Sequence, residues 1–237
     1  MANAVASVHP RGLAGSLDVT ALPSFASLWL LPRLVDFGES HPEIEIRLYV
    51  DGRVVDLRKS DIDAAIRFGD GHYTGLSVTR LMGDAVVPAC SPALLARLGP
   101  VETATDLARL PLLHDAPTES DRSDSSWHHW FACIGGAPPG FGAGTRFGQA
   151  NMVIEAAARG FGVAMVRLSL AEEEFTARRL VPAFPHAAPT AYSYYFVCRR
   201  EALSNVRLCA FRDWLSLRCA ESERTAMAAM TSSGRVP

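Results

Sequence analysis

The stretch LDVTALPSFASLWLLPRLVDFGESHPEIEIRLYV, residues 17–50, decides the fold. A short β-like run is followed, after Ser24, by apolar residues at helical spacing, and serine is favoured at helix N-caps. Pro32 is expected to kink or restart this helix. His41-Pro42 ends it, because the residue before a proline is disfavoured in the α region. From Ile44 to Val50 apolar and polar residues alternate, which predicts a strand with one buried face. The stretch therefore predicts a β-α-β unit.

The following residues extend this unit into an α/β domain. Residues 54–59 predict a short helix and residues 61–69 a buried strand, so the first third has the β-α-β-α-β pattern of a parallel sheet. Two separate strand-like runs cover residues 76–81 and 85–89. Ser91-Pro92 opens another helix, with serine as N-cap and proline at the first helical position.

The second half continues the alternation of strands and helices. Its main predicted elements are a helix anchored by Trp127, Trp130 and Phe131, a strand over 145–147, a helix over 149–159 ended by Gly160, a buried strand over 162–166, an aromatic strand over 191–197 and an amphipathic helix over 202–217.

Composition limits the function classes. The 237 residues include 23 basic and 25 acidic side chains, a net charge of −2, whereas nucleic-acid-binding surfaces are usually basic. No apolar run approaches the roughly 20 residues that a membrane span needs. The N-terminus MANAVASVHPRG does not have the pattern of a secretory signal, so a cytoplasmic location is expected. The five cysteines form no C-x-x-C pair, which indicates reduced thiols and neither a disulfide framework nor a zinc site.

Motifs for catalysis are missing from the sequence. There is no G-x-S-x-G, H-E-x-x-H or phosphate-binding loop. The adjacent His128 and His129 would point about 100° apart on a helix, which is poor geometry for one metal ion. Asp61 and Asp63 are assigned to turn and strand-entry roles. We therefore predict no catalytic residue, no metal and no cofactor, and a protein that is not an enzyme.

Two predicted helix starts instead indicate a binding site. In parallel α/β sheets, ligands collect beyond the carboxyl ends of the strands. Helices starting near Ser24 and Gln149 each follow such a strand and present free N–H groups and a positive dipole end. If both face one cleft, the cleft suits an anionic or polar group. Plain helix capping remains an alternative for Ser24 and Gln149, and core packing for Phe68 and Phe147, which end strands nearby.

Several stretches, in a fixed order, match a known family. After residues 17–50 come DLRKSDIDAAIRFGDG (56–71), VVPACSPALL (86–95), FGQANMVIEAAARGFGVAMV (147–166) and RLVPAF (179–184). This ordered set resembles the effector-binding domain of LysR-type transcriptional regulators over about residues 17–217. The string Ile66-Arg67-Phe68-Gly69 and the segment Trp127 to Phe131 are most similar to the branch of the glycine-cleavage activator and the β-lactamase regulator.

The resemblance implies an α/β fold of two Rossmann-like lobes joined by two crossover strands, similar to type 2 periplasmic binding proteins. Lobe I would comprise residues 17–83 and 200–219 and lobe II residues 84–199, with a flexible lead-in over 1–16 and a disordered tail over 220–237. A small-molecule effector would bind in the cleft between the lobes, and Arg67 with the two helix starts indicates an anionic group on it. The effector-binding residues that the resemblance implies are Pro23, Ser24, Phe25, Arg67, Phe68, His114, Phe147, Gln149, Val166 and Tyr194.

The resemblance also implies a homodimer or tetramer. The first helix and the strand Ile44–Val50 of one copy would pack against the Gln149 helix of another, with Leu28, Trp29 and Leu31 as exposed apolar residues. In the family, DNA is bound by a winged helix-turn-helix domain that precedes this one. The sixteen residues before Leu17 cannot hold such a domain, so we expect either a shortened form or a natural sensor.

The favoured hypothesis is an effector sensor of a transcription regulator, in which ligand moves the lobes and the shift passes through the dimer. A solute-binding protein of a transport system is an alternative, which a periplasmic location would support. An enzyme on a similar two-lobed fold is a further alternative, and turnover of a bound ligand would support it.

Overall fold

A computed structural model describes residues 13–52, 54–115, 127–136 and 144–232. The strands are β1 (Gly15–Ala21), β2 (Ile44–Val50), β3 (Ala64–Gly69), β4 (Ser77–Cys90), β5 (Leu112–Asp115), β6 (Thr145–Phe147), β7 (Val163–Arg167), β8 (Val181–Pro182) and β9 (Ala188–Cys198). The α-helices are α1 (Pro23–Phe25), α2 (Leu31–Ser40), α3 (Pro92–Leu98), α4 (Trp127–Cys133), α5 (Ala150–Ala158), α6 (Leu168–Thr176) and α7 (Val206–Ser232).

The strands form one mixed sheet in the order β2-β1-β3-β9-β4-β7-β5-β6, with β8 added beside β4. Strands β1, β2 and β3 are parallel to one another and form the first half of the sheet. Strands β5, β6 and β7 are also parallel and form the second half. The long strands β4 and β9 pair antiparallel with each other and connect the halves. The α/β fold with two crossover strands is therefore confirmed.

The first helix begins two residues earlier than predicted. Leu22 is the N-cap and Pro23 takes the first helical position, which suits proline because that position needs no N–H donor. The prediction of Ser24 as N-cap is therefore wrong, since Ser24 already lies inside the helix. Residues Ala26–Leu30 form a π-helical segment, and regular α-helix resumes at Leu31. The expected restart near Pro32 is thus a change from π-helical to α-helical hydrogen bonding at Leu31, and the helix is not broken there.

Burial along this helix also differs from the expectation. Trp29 is fully buried against Phe25, with 4.9 Å between the ring centroids, so its prediction as an exposed interface residue is wrong. Leu28 is partly buried against the core. Leu31 is 59% exposed as predicted, and Val35, one helical turn later, is 68% exposed. The exposed apolar face is therefore formed by Leu31 and Val35.

Two predictions of local structure in the first half are wrong. Residues 54–59 form no helix in the described part, only a turn in which Lys59 N–H donates to the Asp56 carbonyl. The runs 76–81 and 85–89 are one strand, β4, with register shifts around Met82 and Asp84. Gly83-Asp84 has the composition of a turn, but pairing with β9 carries the extended backbone through it.

The C-terminal helix is longer than predicted, because α7 continues to Ser232. The predicted disordered tail is therefore wrong for residues 220–232, while residues 233–237 lie outside the described part. The Trp29 indole N–H donates to the buried Ser222 hydroxyl at 3.0 Å, and Glu223 accepts from Arg80 and from Gly83 N–H. These contacts hold the helix against the body of the protein.

The N-terminal boundary also changes slightly. Gly15 and Ser16 belong to β1 and pair with Ile44 and Glu45 of β2, so the predicted lead-in is wrong for these two residues. Residues 1–12 lie outside the described part.

Among the described helices, α7 included, none combines the length and the apolar character that crossing a membrane requires.

Ser222→Ala is expected to lower the free energy of unfolding by about 1–2 kcal/mol, because the buried Trp29 N–H loses its acceptor. Ser216→Ala is the matched control, since this serine of the same helix bonds only to the Arg212 carbonyl. Urea unfolding of both variants measures the difference. Equal stabilities would show that the hydrogen bond between Trp29 and Ser222 adds nothing to the stability of the fold.

Candidate functional site

A cavity of about 390 Å³ lies where the two halves of the sheet meet. Strands β1, β3 and β5 end at it, through Ala21, Gly69 and Asp115. The first helix begins at it with Pro23, and α5 begins at it with Ala150. The cavity is therefore at the carboxyl ends of parallel strands, the position where ligands bind in open α/β sheets.

The structure brings most of the predicted site residues together here. Those that line the cavity are Pro23, Ser24, Phe25, Arg67, Phe68, Gln149 and Tyr194. His114, Phe147 and Val166 are not in the lining, which instead includes their sequence neighbours Asp115, Gly148 and Arg167. Successive strand residues point to opposite faces of a sheet, and the binding roles of His114, Phe147 and Val166 remain predictions.

The two helix starts face each other directly. The Ser24 hydroxyl accepts a hydrogen bond of 3.1 Å from the Asn151 N–H in the first turn of α5. Ser24 thus caps the opposite helix and not its own. Gln149 is the N-cap residue of α5, but its side chain makes no capping hydrogen bond and is exposed. The positive ends of both helices therefore point into the same space.

Two arginines add positive charge to the walls. Arg67, on β3, is half-buried; it donates to the Val55 carbonyl and stacks 5.0 Å from the Tyr73 ring. Burial lowers the pKa of its guanidinium, and no carboxylate of the described residues forms an ion pair with it. Arg167, at the end of β7, is buried with its guanidinium 4.7 Å from the Phe68 ring. Either guanidinium could bind an acidic group of a ligand.

Arg167 was not predicted from the sequence. The sequence contains a signal for Arg167. This charged residue directly follows the apolar run Gly162 to Val166, at the carboxyl end of a predicted buried strand. Such a charge is rarely buried without a role.

The floor of the cavity contains Tyr194, which is 1% exposed and lies between the rings of Phe25 and Phe68, each at 4.7 Å. Its hydroxyl makes no hydrogen bond to any described residue. The neighbouring Ser169 hydroxyl donates instead to Asp84. Burial raises the pKa of the Tyr194 phenol, against the opposing effects of the Arg167 charge and of Ser169.

Behind the cavity, a buried carboxylate holds the start of α6. Asp84 accepts from Ala85 N–H at 2.8 Å, from Ser169 N–H at 3.2 Å and from the Ser169 hydroxyl. Burial raises the pKa of Asp84, against the opposing effects of the Ser169 hydrogen bond and the Arg167 charge. Asp84 thereby fixes the backbone on which Arg167 is carried.

The wild type is expected to become less stable as pH rises, and Asp84→Asn is expected to remove this loss. Because the folded pKa of Asp84 is above its ordinary value of 3.8, ionisation disfavours the folded state from about that pH upward. The amide can keep the same acceptor and donate to Ser169. Relative to the variant, the wild type should lose up to about 1.4 kcal/mol per pH unit between these pKa values.

Urea unfolding between pH 4 and pH 8 measures this difference. Asp36→Asn is the control of opposite sign, since hydrogen bonds from Trp214 and Arg218 lower the pKa of that exposed carboxylate. Parallel pH profiles for the wild type and Asp84→Asn would contradict the role given to burial.

No set of three or more His, Cys, Asp or Glu side chains in the described ranges is arranged to hold a metal ion. The five cysteines are free thiols. The side chains that line the cavity offer hydrogen-bond donors, charges and aromatic rings.

Comparison with known proteins identifies related sequences. The profile of the family described as LysR substrate binding domain matches residues 10–220. The glycine cleavage system transcriptional activator of Escherichia coli K12 is 34% identical over 223 residues, which are 94% of this chain and 71% of that protein. The HTH-type transcriptional activator AmpR of Rhodobacter capsulatus is 30% identical over 88% of this chain and 70% of its own length.

Solved structures give the same result for the fold. The effector domain of the transcriptional regulator AmpR of Pseudomonas aeruginosa superposes with a TM-score of 0.74 at 28% identity, over 90% of this chain and all of that one. CrgA of Neisseria meningitidis, a LysR-type transcriptional regulator, superposes with a TM-score of 0.71 at 21% identity, over 87% of this chain and 69% of its own, and supports the fold alone.

Proposed function

Because the chain belongs to the LysR substrate binding domain family, as the effector-binding domain of a LysR-type transcriptional regulator, we propose that its effector binds in the cavity between the two halves of the sheet. The observation that carries this proposal is the Tyr194 hydroxyl, which is buried in the cavity without a hydrogen bond to any described residue. The family and the relatives are regulators, so neither the transport nor the enzyme alternative is retained.

The effector that we propose carries an anionic group. A buried hydroxyl without a partner costs free energy, and an acceptor oxygen on a ligand would recover it. Arg67 and Arg167 reach the cavity from opposite halves of the sheet, and the positive dipole end of α5 adds to their charge. An anion that touches all three would hold the halves together.

The two halves of the sheet correspond to the lobes of the proposal, residues 17–83 with 200–219 and residues 84–199. The boundary near the end of lobe II needs one refinement, because Ser193 to Cys198 of β9 pair with β3 and lie on the sheet of lobe I. The hydrogen bond between Ser24 and Asn151 joins the lobes at the cavity. A ligand shifts their arrangement only as far as it binds one arrangement better than another.

We further propose that two copies pair through apolar side chains of both lobes. Leu31 and Val35 of α2 are exposed, as is Met152 of α5 at 52% and Phe161 after it at 66%. In a two-fold dimer, α2 of one copy would cover α5 of the other, so each patch is used twice. Through this contact a change between the lobes would reach the DNA-binding part of a regulator.

The test begins with native mass spectrometry of the purified chain, which identifies a co-purifying ligand. The double variant Ser24→Ala, Gln149→Ala should then lose most of the thermal stabilisation by that ligand, with affinity reduced about tenfold or more. Ser27→Ala is the matched control, because Ser27 lies on the same helix, donates to the Pro23 carbonyl and is not itself in the cavity lining. An unchanged ligand response in the double variant would remove the site assignment.

A further inference from the structure

The end of α7 lies against the segment where the crossover strands pass from one half of the sheet to the other. Residues 77–83 of β4 lie beside the part of β9 that also pairs with β3, whereas residues 86–89 pair with β7. In between, the register of β4 on β9 shifts twice, within residues 80–85, which we call the hinge segment. An interrupted ladder bends more easily than a regular one, so movement between the halves is expected to use this segment.

Glu223 of α7 contacts the hinge segment directly. Its carboxylate accepts from the Gly83 N–H at 2.8 Å and from the Arg80 guanidinium at 2.7 Å. A Cβ on Gly83 would lie 2.9 Å from the Arg80 guanidinium and 3.1 Å from the Glu223 carboxylate, so the missing side chain lets both groups close over the backbone. One carboxylate of α7 therefore holds both the backbone and a side chain of the hinge segment.

Ser222, one position earlier, connects α7 to both proposed lobes. Its buried hydroxyl accepts from the Trp29 indole N–H of lobe I and donates to the Glu172 carboxylate of α6 in lobe II, each at 3.0 Å. Glu172 also accepts from Arg33 of α2 at 2.8 Å, in an ion pair that crosses between the lobes. The Ser222 hydroxyl therefore lies at the centre of a polar contact among three helices.

These two residues follow the part of the chain that the family shares. The family profile ends at residue 220, and α7 continues without a break to Ser232. Adjacent residues of a helix point about 100° apart, so Ser222 reaches α6 while Glu223 reaches the hinge segment. The continuation of α7 is therefore placed to act on the hinge and on lobe II at the same time.

We propose that residues 221–232 of α7 form a strap that holds the two lobes in the arrangement described here. A change between the lobes then requires Ser222 to release α6 and Glu223 to release the hinge segment. A ligand that favours another arrangement has to offset the loss of these hydrogen bonds, so the strap sets how strongly the domain resists the change. The inference rests on the lobes of the proposed function and not on what the cavity binds.

The Asn151 N–H reports on the arrangement of the lobes. It lies in the first turn of α5, where N–H groups have no acceptor within the helix, and it donates to the Ser24 hydroxyl of the other lobe. Its exchange with solvent, measured by NMR on the ligand-free full chain, should therefore rise when the lobes separate. The Leu95 N–H is the internal reference, because it bonds to the Ser91 carbonyl within lobe II.

Glu223→Ala is expected to speed the exchange of the Asn151 N–H about tenfold, because the hinge segment loses two hydrogen bonds to a charged group. Alanine is the strongest helix former, so the substitution does not weaken α7 itself. Glu221→Ala is the matched control, since this carboxylate pairs with Arg218 of the same helix and should leave the exchange unchanged.

Glu172→Ala tests the second contact of the strap from the side of α6. It removes the acceptor of the Ser222 hydroxyl and the ion pair with Arg33, and should speed the exchange of the Asn151 N–H about threefold or more. Glu173→Ala is its control, because that carboxylate lies 3.7 Å from Arg179 beyond the end of the same helix. The two test variants lie on different helices, so either one tests the strap if the other does not fold.

Faster exchange of the Asn151 N–H with unchanged exchange of the Leu95 N–H supports the strap. Exchange of the Asn151 N–H no faster than in the two controls overturns it. Equal acceleration of both amides also overturns it, because the contacts would then serve only the overall stability of the fold. All of these measurements are made without ligand, so a failed strap leaves the proposed effector site to its own test by ligand occupancy.

Discussion

Tyr194→Phe is expected to weaken effector binding about 10- to 150-fold and to raise the free energy of unfolding of the ligand-free protein by about 1 kcal/mol. The hydroxyl is buried and makes no hydrogen bond within the described structure, so in the free protein it contributes only the cost of its desolvation. A phenylalanine ring preserves the packing against Phe25 and Phe68. Loss of a hydrogen bond to a charged ligand costs about 1.5–3 kcal/mol, which corresponds to the expected loss of affinity.

Occupancy by the co-purifying ligand in native mass spectrometry and urea unfolding of the ligand-free protein measure the two effects. Tyr195→Phe is the matched control, since the neighbouring tyrosine points to the other side of β9 and lies outside the cavity lining. The opposite pattern, a less stable free protein with undiminished occupancy, would assign the Tyr194 hydroxyl to the fold and remove it from the site.

The double substitution Leu31→Glu, Val35→Glu is expected to convert a dimer into a monomer, with a dissociation constant raised about 1000-fold or more. Each buried aliphatic side chain contributes about 1.5–3 kcal/mol, and two-fold symmetry counts every residue twice. Four carboxylates would in addition be placed in an apolar contact without partners. Both side chains are more than half exposed in the single chain, at 59% and 68%, so the fold should tolerate the change.

Analytical ultracentrifugation over a range of concentrations measures the association. Leu217→Glu is the matched control, because this residue of α7 is 56% exposed and belongs to neither proposed patch. A wild-type chain that stays monomeric at high concentration would contradict the proposed pairing, as would a double variant that associates like the control.

The path of the first helix illustrates how far local signals reach. Helical spacing, the two prolines and His41-Pro42 predicted its existence and its end, because those signals act within a few residues. They did not predict that Ser24 would cap α5, since its partner Asn151 is 127 positions away in the chain. The same limit applies to β4, where Gly83-Asp84 has the local composition of a turn and pairing with β9 keeps it extended.

The site shows the same division at the level of single residues. Helix starts and the resemblance together predicted a site at Ser24, Arg67 and Gln149, and these three residues line one cavity. The resemblance also implied His114, Phe147 and Val166, which stay predictions, whereas their neighbours Asp115, Gly148 and Arg167 line the cavity. A pattern of period two leaves the face of a short strand undetermined until its neighbours are in place.

Periodicity and helix-boundary residues alone determined the α/β class and the order of most strands and helices, and the ordered stretches matched the family, because these depend on neighbours along the chain. Only the tertiary structure decided that residues 220–232 are helical, that Trp29 is buried, that Arg167 faces the cavity and that the Tyr194 hydroxyl has no partner among the described residues. Each of these depends on groups that are distant in sequence, and burial and hydrogen bonding are set only when the chain has brought them together.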